Sequence, residues 1–299
     1  MSQLPLAGGN ALLADAVPDG TDAAARPVLD PERRTLGLRA GTWPSIIAPV
    51  VVGAIALGLW QAVVVLKGIP HYVLPGPLLI AQTLWADWPT LAGSLLVTLR
   101  ITLAALVAAV TVGVALAIGF AQSRWVERAF FPYAVVLQVT PVVSIAPLII
   151  IWADDVNLSL LICAWIVAFF PILSNTILGL NSADHNLVSL FQLYRASRWQ
   201  TMRFLRLPAS LPYFLGGLKI SGGLALIGAV VAEFVAGTGG SASGLAYRIL
   251  ESGFQLRIPR MFAALFLISA SGVAIFLATS WISHLLLRRW HESALKRET

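Results

Sequence analysis

The sequence predicts an all-α membrane protein with six transmembrane helices, on three observations. Only 11% of its 299 residues are charged and 58% are hydrophobic, against about 25% charged in a soluble domain. Mean hydropathy is +0.83. Six stretches run nearly free of charge over the ~20 residues that ~30 Å of hydrocarbon requires. None alternates with period two, and only helices or closed barrels satisfy their backbone in lipid, so the spans are expected to be helical. The composition excludes a disordered chain and weighs against a soluble enzyme.

Residues 1–42 are rich in Ala, Gly, Pro and Asp and hold no sustained periodicity. They read as a disordered polar tail. No basic residue precedes Arg26 and the tail holds no apolar stretch of the kind a signal peptide needs, so a signal peptide is not expected. The spans are then 43–66, 94–122 (interrupted by Arg100), 129–153 (with Pro132, Pro141 and Pro147), 156–180 (with Pro171), 215–236 (with Lys219 and Glu233) and 261–287. Domain boundaries follow: 43–93 as first helix and linker, 94–287 as the core and 288–299 as a second tail. Pro141 and Pro171 are expected to kink their spans, and GLKISGG at 217–223 offers small residues for close helix contact.

Charge placement orients the bundle. Arg26, Arg33, Arg34 and Arg39 lie in the first tail; Arg124 and Arg128 follow the second span; Arg195, Arg198, Arg203 and Arg206 follow the fourth; Arg288, Arg289, Lys296 and Arg297 close the chain. These fourteen of twenty basic residues fall on one face, whereas the other holds Lys67, Arg248, Arg257 and Arg260. The positive-inside rule makes the fourteen-residue face cytoplasmic and puts both termini there. It also accounts for the pI of about 10.0, so no nucleic-acid partner is expected.

The segment 181–214 is the elaborate connection. Asp184 or Asn186 can cap a first short helix. Its Leu187, Leu190, Phe191 and Tyr194 make an apolar face. A break near Arg195 precedes a second helix, 198–205, capped by Ser197 and ended by Pro208 and Pro212. Such a pair is either a docking surface for a soluble partner or an amphipathic hairpin on anionic lipid.

Ionisable groups inside spans each need a reason. Arg100 either snorkels or faces a cavity that attracts an anionic solute; Lys219, near a span end, snorkels. Glu233, in VVAEFVAG, is either a structural ion pair with Arg248 or Arg100, or an outer gate residue on the translocation path. Asn175 bonds across helices or faces that path. Cys163, in an apolar run, reads as a small buried hydrophobe. The four histidines are scattered and no ligand spacing or catalytic grouping occurs, so neither metal, cofactor nor catalytic residue is expected. No lysine is followed by Ser or Thr, so there is no phosphate-binding loop for ATP.

FFPILSNTILG (169–179), ASRWQ (196–200), LPASLPYFLGGLKIS (207–221), ALIGAVVAEFVAG (225–237) and the LPGP at 74–77 stand in an order and spacing that resembles the permease subunits of bacterial ABC importers. The subgroup is the binding-protein-dependent one serving nitrate, sulfonate, taurine and pyrimidine precursors, and the resemblance covers residues 70–285. It implies the type I importer permease fold in the cell membrane (the inner membrane of a Gram-negative cell). It also implies a second permease copy (homodimer or heterodimer), cytosolic ABC ATPase subunits and an extracytoplasmic solute-binding protein as partners. The family's coupling loop carries Glu-Ala-Ala and a Gly four residues on. Here those positions fall on Ser189, Leu190 and Phe191, and on Arg195. The expected coupling residues are therefore Leu187, Ser189, Leu190, Phe191, Tyr194, Arg195 and Arg198. Coupling would rest on shape and apolar packing, because Ser189 cannot make a charge-assisted contact and Arg195 cannot take a positive φ as cheaply as glycine. The rival reading, an ion-coupled secondary transporter, would need more buried carboxylates than Glu233 supplies, and no inverted repeat is evident.

Overall fold

In a computed structural model, residues 42–237 and 243–288 are described. The expected polar tail, the glycine-rich stretch after Gly237 and the C-terminal tail lie outside that range, apart from their end residues. Every described element is helical: α1 Thr42–Leu66, α2 Pro77–Ala86, α3 Trp88–Gln122, α4 Arg124–Val139, α5 Val142–Trp152, α6 Val156–Leu180, α7 His185–Leu193, α8 Arg198–Thr201, a π-helical turn Met202–Arg206, α9 Leu207–Ala236, α10 Leu245–Phe254 and α11 Ile258–Leu287. The chain divides into two units, Met1–Ala54 and Ile55–Thr299. Of the first unit only the opening turns of α1 are described; they expose Ile47, Val50, Val51 and Val52.

Five helices are long and apolar enough to cross a membrane, and the α4–α5 pair brings the number to six if taken as one broken span. The kink expected at Pro141 is present in the third span, and it is sharp enough to divide it. The span is two helices meeting at 101°, because Pro141 has no N–H to continue the ladder. Thr140 before it is extended at φ −71, ψ 122, as proline demands of its predecessor.

The end expected of the second short helix is corrected. Pro208 and Pro212 do not stop it: the chain runs helically from Arg198 to Ala236. A proline ring crowds the carbonyl four residues back. Just before Pro208 the helix widens to i→i+5 bonding, with the Leu207 N–H donating to the Met202 carbonyl, and so accommodates the proline. Two short helices, α2 and α10, were not foreseen. The Gln61 side chain accepts from the Leu78 N–H at 3.3 Å and so caps α2. Arg260 at the start of α11 lies 3.2 Å from Asp87, tying α11 to the α2–α3 junction.

Within the second unit α9 is the hub, touching α3, α5, α6, α10 and α11. Helices in lipid gain little from hydrophobic exclusion of one another, so close backbone approach and hydrogen bonds decide which pairs form. Gly228 meets the Ala164 Cα so closely that a Cβ there would lie 2.8 Å from it. A Cβ on Gly217 would lie 2.7 Å from the Pro171 carbonyl oxygen. Between these crossings the Ser221 hydroxyl donates to the Ala168 carbonyl at 2.7 Å. The small-residue expectation for 217–223 therefore holds at Gly217, Ser221 and Gly222, the last against Ile275. Phe120, Phe169, Ile172, Leu173, Leu180 and Met202 form one buried cluster where α3, α6 and α9 converge. Ile101, Ala105, Leu160, Cys163 and Ala229 form a second. Cys163 is fully buried there, a small apolar filler as expected.

Candidate functional site

The 181–206 connection is built by local capping. Asp184 Oδ1 accepts from the Asn186 N–H at 2.8 Å and starts α7; of the two expected caps, Asp184 is the one used. Ser197 starts α8 through a capping box: its hydroxyl accepts from the Gln200 N–H at 3.2 Å, and Gln200 Oε1 accepts from the Ser197 N–H at 2.7 Å. Between the two helices Arg195 sits at φ +53. The Arg195 N–H donates to the Gln192 carbonyl and the Ala196 N–H to the Phe191 carbonyl, both at 2.9 Å. This 6→1 and 5→2 pair is a Schellman motif. The left-handed residue is Arg195, the position at which the resemblance led to the expectation of a glycine.

These turns leave an apolar ridge facing outward. Leu187 and Leu190 are exposed, and Leu193 and Tyr194 are 81% and 79% exposed. Phe191 is half-buried behind them. Ser189 is half-buried too, its hydroxyl donating to the His185 carbonyl at 3.0 Å. Arg198 lines the cavities behind the ridge. The seven expected coupling residues therefore fall on one continuous segment.

The other three expected residues stand apart from it and from each other. Glu233, 2% exposed, lies at the far end of α9. The Thr98 hydroxyl of α3 donates to Glu233 Oε1 at 2.8 Å and the Ala246 N–H of α10 donates to Oε2 at 3.0 Å. The Leu245 N–H donates to the Thr98 hydroxyl at 2.9 Å. Gly244 has no side chain to cap α10, and the carboxylate takes that part by satisfying the Ala246 N–H, with Thr98 satisfying that of Leu245. Any side chain at 244 would collide with it.

The expected ion pair is not formed. Arg248 is committed instead to Ser94 at 2.9 Å and Glu251 at 2.8 Å, and Arg100 opens on a cavity of about 630 Å³ beside Asp155 and Asn157. Nor does Asn175 bond across helices: its Nδ2 donates to the Pro171 carbonyl of its own helix at 2.8 Å. Half-buried Lys219 joins no ion pair among the described residues. Thr98 and the α10 N–H groups were not foreseen, and no pattern could have named them: Thr98 lies 135 residues from Glu233.

Long apolar helices that cross at glycines describe a polytopic helical membrane protein. The profile of the binding-protein-dependent transport system inner membrane component matches residues 109–292, and the chain belongs to that family. The riboflavin transport system permease protein RibX of Chloroflexus aurantiacus is 33% identical over 89% of this chain and 98% of its own. The formylaminopyrimidine transport permease protein ThiX of Halalkalibacterium halodurans is 30% identical over 81% and 95%. The putative aliphatic sulfonates transport permease protein SsuC of Bacillus subtilis is 31% identical over 78% and 83%. Among solved structures, a crystal structure of an amino acid ABC transporter with histidines superposes with a TM-score of 0.56. It covers 70% of this chain and 97% of that one at 17% identity, a likeness of fold. The chain is thus a transmembrane permease subunit of an ABC transporter for a small solute, rather than an ion-coupled secondary transporter.

Proposed function

We propose that α7 and α8 are the element through which a separate cytosolic ATPase drives this permease. The observation that carries the reading is the Arg195 turn: a left-handed residue at φ +53 closes α7 and turns the ridge of Leu187, Leu190 and Tyr194 outward. An ATPase cleft would take that ridge by apolar burial, with Ser189, Phe191 and Arg198 shaping its flanks. On this reading 181–214 is the coupling loop of a core spanning 94–287, and it faces the cytoplasm together with both tails. The protein works in the inner membrane as a pair of permeases with a solute-binding protein outside. Co-purification tests it: the full chain should retain its ATPase, and Leu190→Asp or Phe191→Asp should lose it while the protein stays monodisperse. An ATPase retained equally by both variants would overturn the assignment.

For the cargo we assign a small heterocycle, because RibX and ThiX match most of this chain and carry riboflavin and formylaminopyrimidine in their names. The pathway wall includes Arg100 and Asn175, with Glu233 holding the outer end of α9 against α3 and α10. A thermal-shift titration of the cognate binding protein should respond to riboflavin or a formylaminopyrimidine. A response to alkanesulfonates alone would replace the heterocycle by an oxyanion.

A further inference from the structure

Four arginines converge on a cavity of about 1160 Å³ at the junction of α3, α4 and the 181–206 connection: Arg124 and Arg128 from α4, with Arg198 and Arg206 from the far wall. His185 lines it as well, and Glu127 is its one carboxylate. Among the described residues no arginine of this group lies within ion-pair distance of any carboxylate, since the ion pairs found are Arg248 with Glu251 and Arg260 with Asp87. A neighbouring cavity of about 270 Å³ shares Arg198 and Arg206. Four arginines lining one space, none in an ion pair among the described residues, suit an anion, because a guanidinium presents a planar fork that matches two oxygens of a phosphate.

The depth of this cavity is set by α4 itself. Its Arg124 and Arg128, one turn apart, face the cavity together with Phe131 and Pro132. Its other side exposes Phe130, Tyr133 and Val136, and Trp125, 80% exposed, stands at the rim of the cavity itself. A helix with a basic side and an aromatic-rich apolar side lies at the lipid headgroup boundary, where Trp and Tyr concentrate. The phosphates within reach at that depth belong to lipids.

We propose that this cavity binds the phosphate group of an anionic phospholipid headgroup, clamped between Arg124 and Arg128 of α4 and Arg198 and Arg206 across from them. A lipid held there bridges α4 to the base of α9 and lies behind the outward ridge of α7.

The test uses the full chain purified with its ATPase, delipidated, and titrated with dioleoylphosphatidylglycerol, dioleoylphosphatidylcholine or inorganic phosphate, with bound lipid counted by native mass spectrometry. Phosphatidylglycerol should bind roughly tenfold or more tightly than phosphatidylcholine, whose acyl chains are the same. Arg124→Gln/Arg128→Gln and Arg198→Gln/Arg206→Gln should each abolish the preference. Arg203→Gln/Arg257→Gln, outside the cavity, should keep it, and all three double variants should remain monodisperse. An unchanged preference in the cavity variants would overturn the site. Equal binding of the two lipids, with saturable binding of inorganic phosphate that the cavity variants lose, would replace the lipid by a soluble phosphate. The ATPase co-purification described above reads Leu190 and Phe191, which lie outside the cavity, and the lipid titration can be run on the permease without its ATPase, so a failure of either reading leaves the other measurable.

Discussion

The Thr98 hydroxyl stands between Glu233 and α10, donating to Glu233 Oε1 at 2.8 Å and accepting from the Leu245 N–H at 2.9 Å. One side chain of α3 thereby completes a cap that α9 provides for α10. Glu233→Leu and Thr98→Val should both loosen the first turn of α10. Leaving a buried donor without its acceptor costs about 1–3 kcal/mol, so the amides of 245 and 246 should exchange with deuterium roughly fivefold faster or more. Unchanged exchange in both variants would show that the cap contributes nothing.

Arg195 holds a left-handed conformation that a side chain adopts at a cost of roughly 1–2 kcal/mol. Arg195→Gly should relieve that strain and raise the thermal unfolding temperature of the purified chain while leaving the Schellman bonds in place. A lower unfolding temperature would mean that the arginine side chain contributes more than its backbone costs.

The glycines of α9 separate into two kinds. Gly217→Ala and Gly228→Ala place a methyl against backbone and should destabilise the bundle by about 1–3 kcal/mol. Gly223, six residues from one and five from the other, has nothing within 4 Å of its Cβ position, so Gly223→Ala should be neutral or stabilising. Thermal unfolding of the three variants side by side decides it.

Ser189→Glu places a carboxylate on α7 at the position where the resemblance to importer permeases implies one. A charge-assisted contact in the ATPase cleft should slow dissociation of the complex about tenfold, measured as the off-rate of labelled ATPase from immobilised permease. No change would mean that the cleft of this ATPase has no basic partner at that point.

Sequence carried much of the bundle and little of its joints. The fourth span was legible to the residue at 156–180, since Asp155 caps its start through the Asn157 N–H at 2.9 Å and its apolar run is unbroken. Hydropathy measures transfer into lipid and carries no direction, so 129–153 looked like one span although Thr140 and Pro141 turn it through 101°. Ten-residue helices such as α2 and α10 are too short for a window built to detect spans. In the coupling segment both caps were readable because capping is local. The partners of Glu233 were not, because they arrive from α3 and α10.

The bend between α4 and α5 bears on how the chain is made. At 1.5 Å per residue the arms of 16 and 11 residues reach about 24 and 17 Å, so neither crosses ~30 Å of hydrocarbon alone. The carbonyls freed at the joint find no donor in lipid. Shelter for α5 comes from α6 and α9, and α9 leaves the ribosome more than fifty residues later. The α4–α5 elbow is therefore expected to wait at the membrane surface or in the insertion machinery until the later helices close over it. A nascent chain halted after residue 153 should have α5 accessible to aqueous labels, and one released after 236 should not.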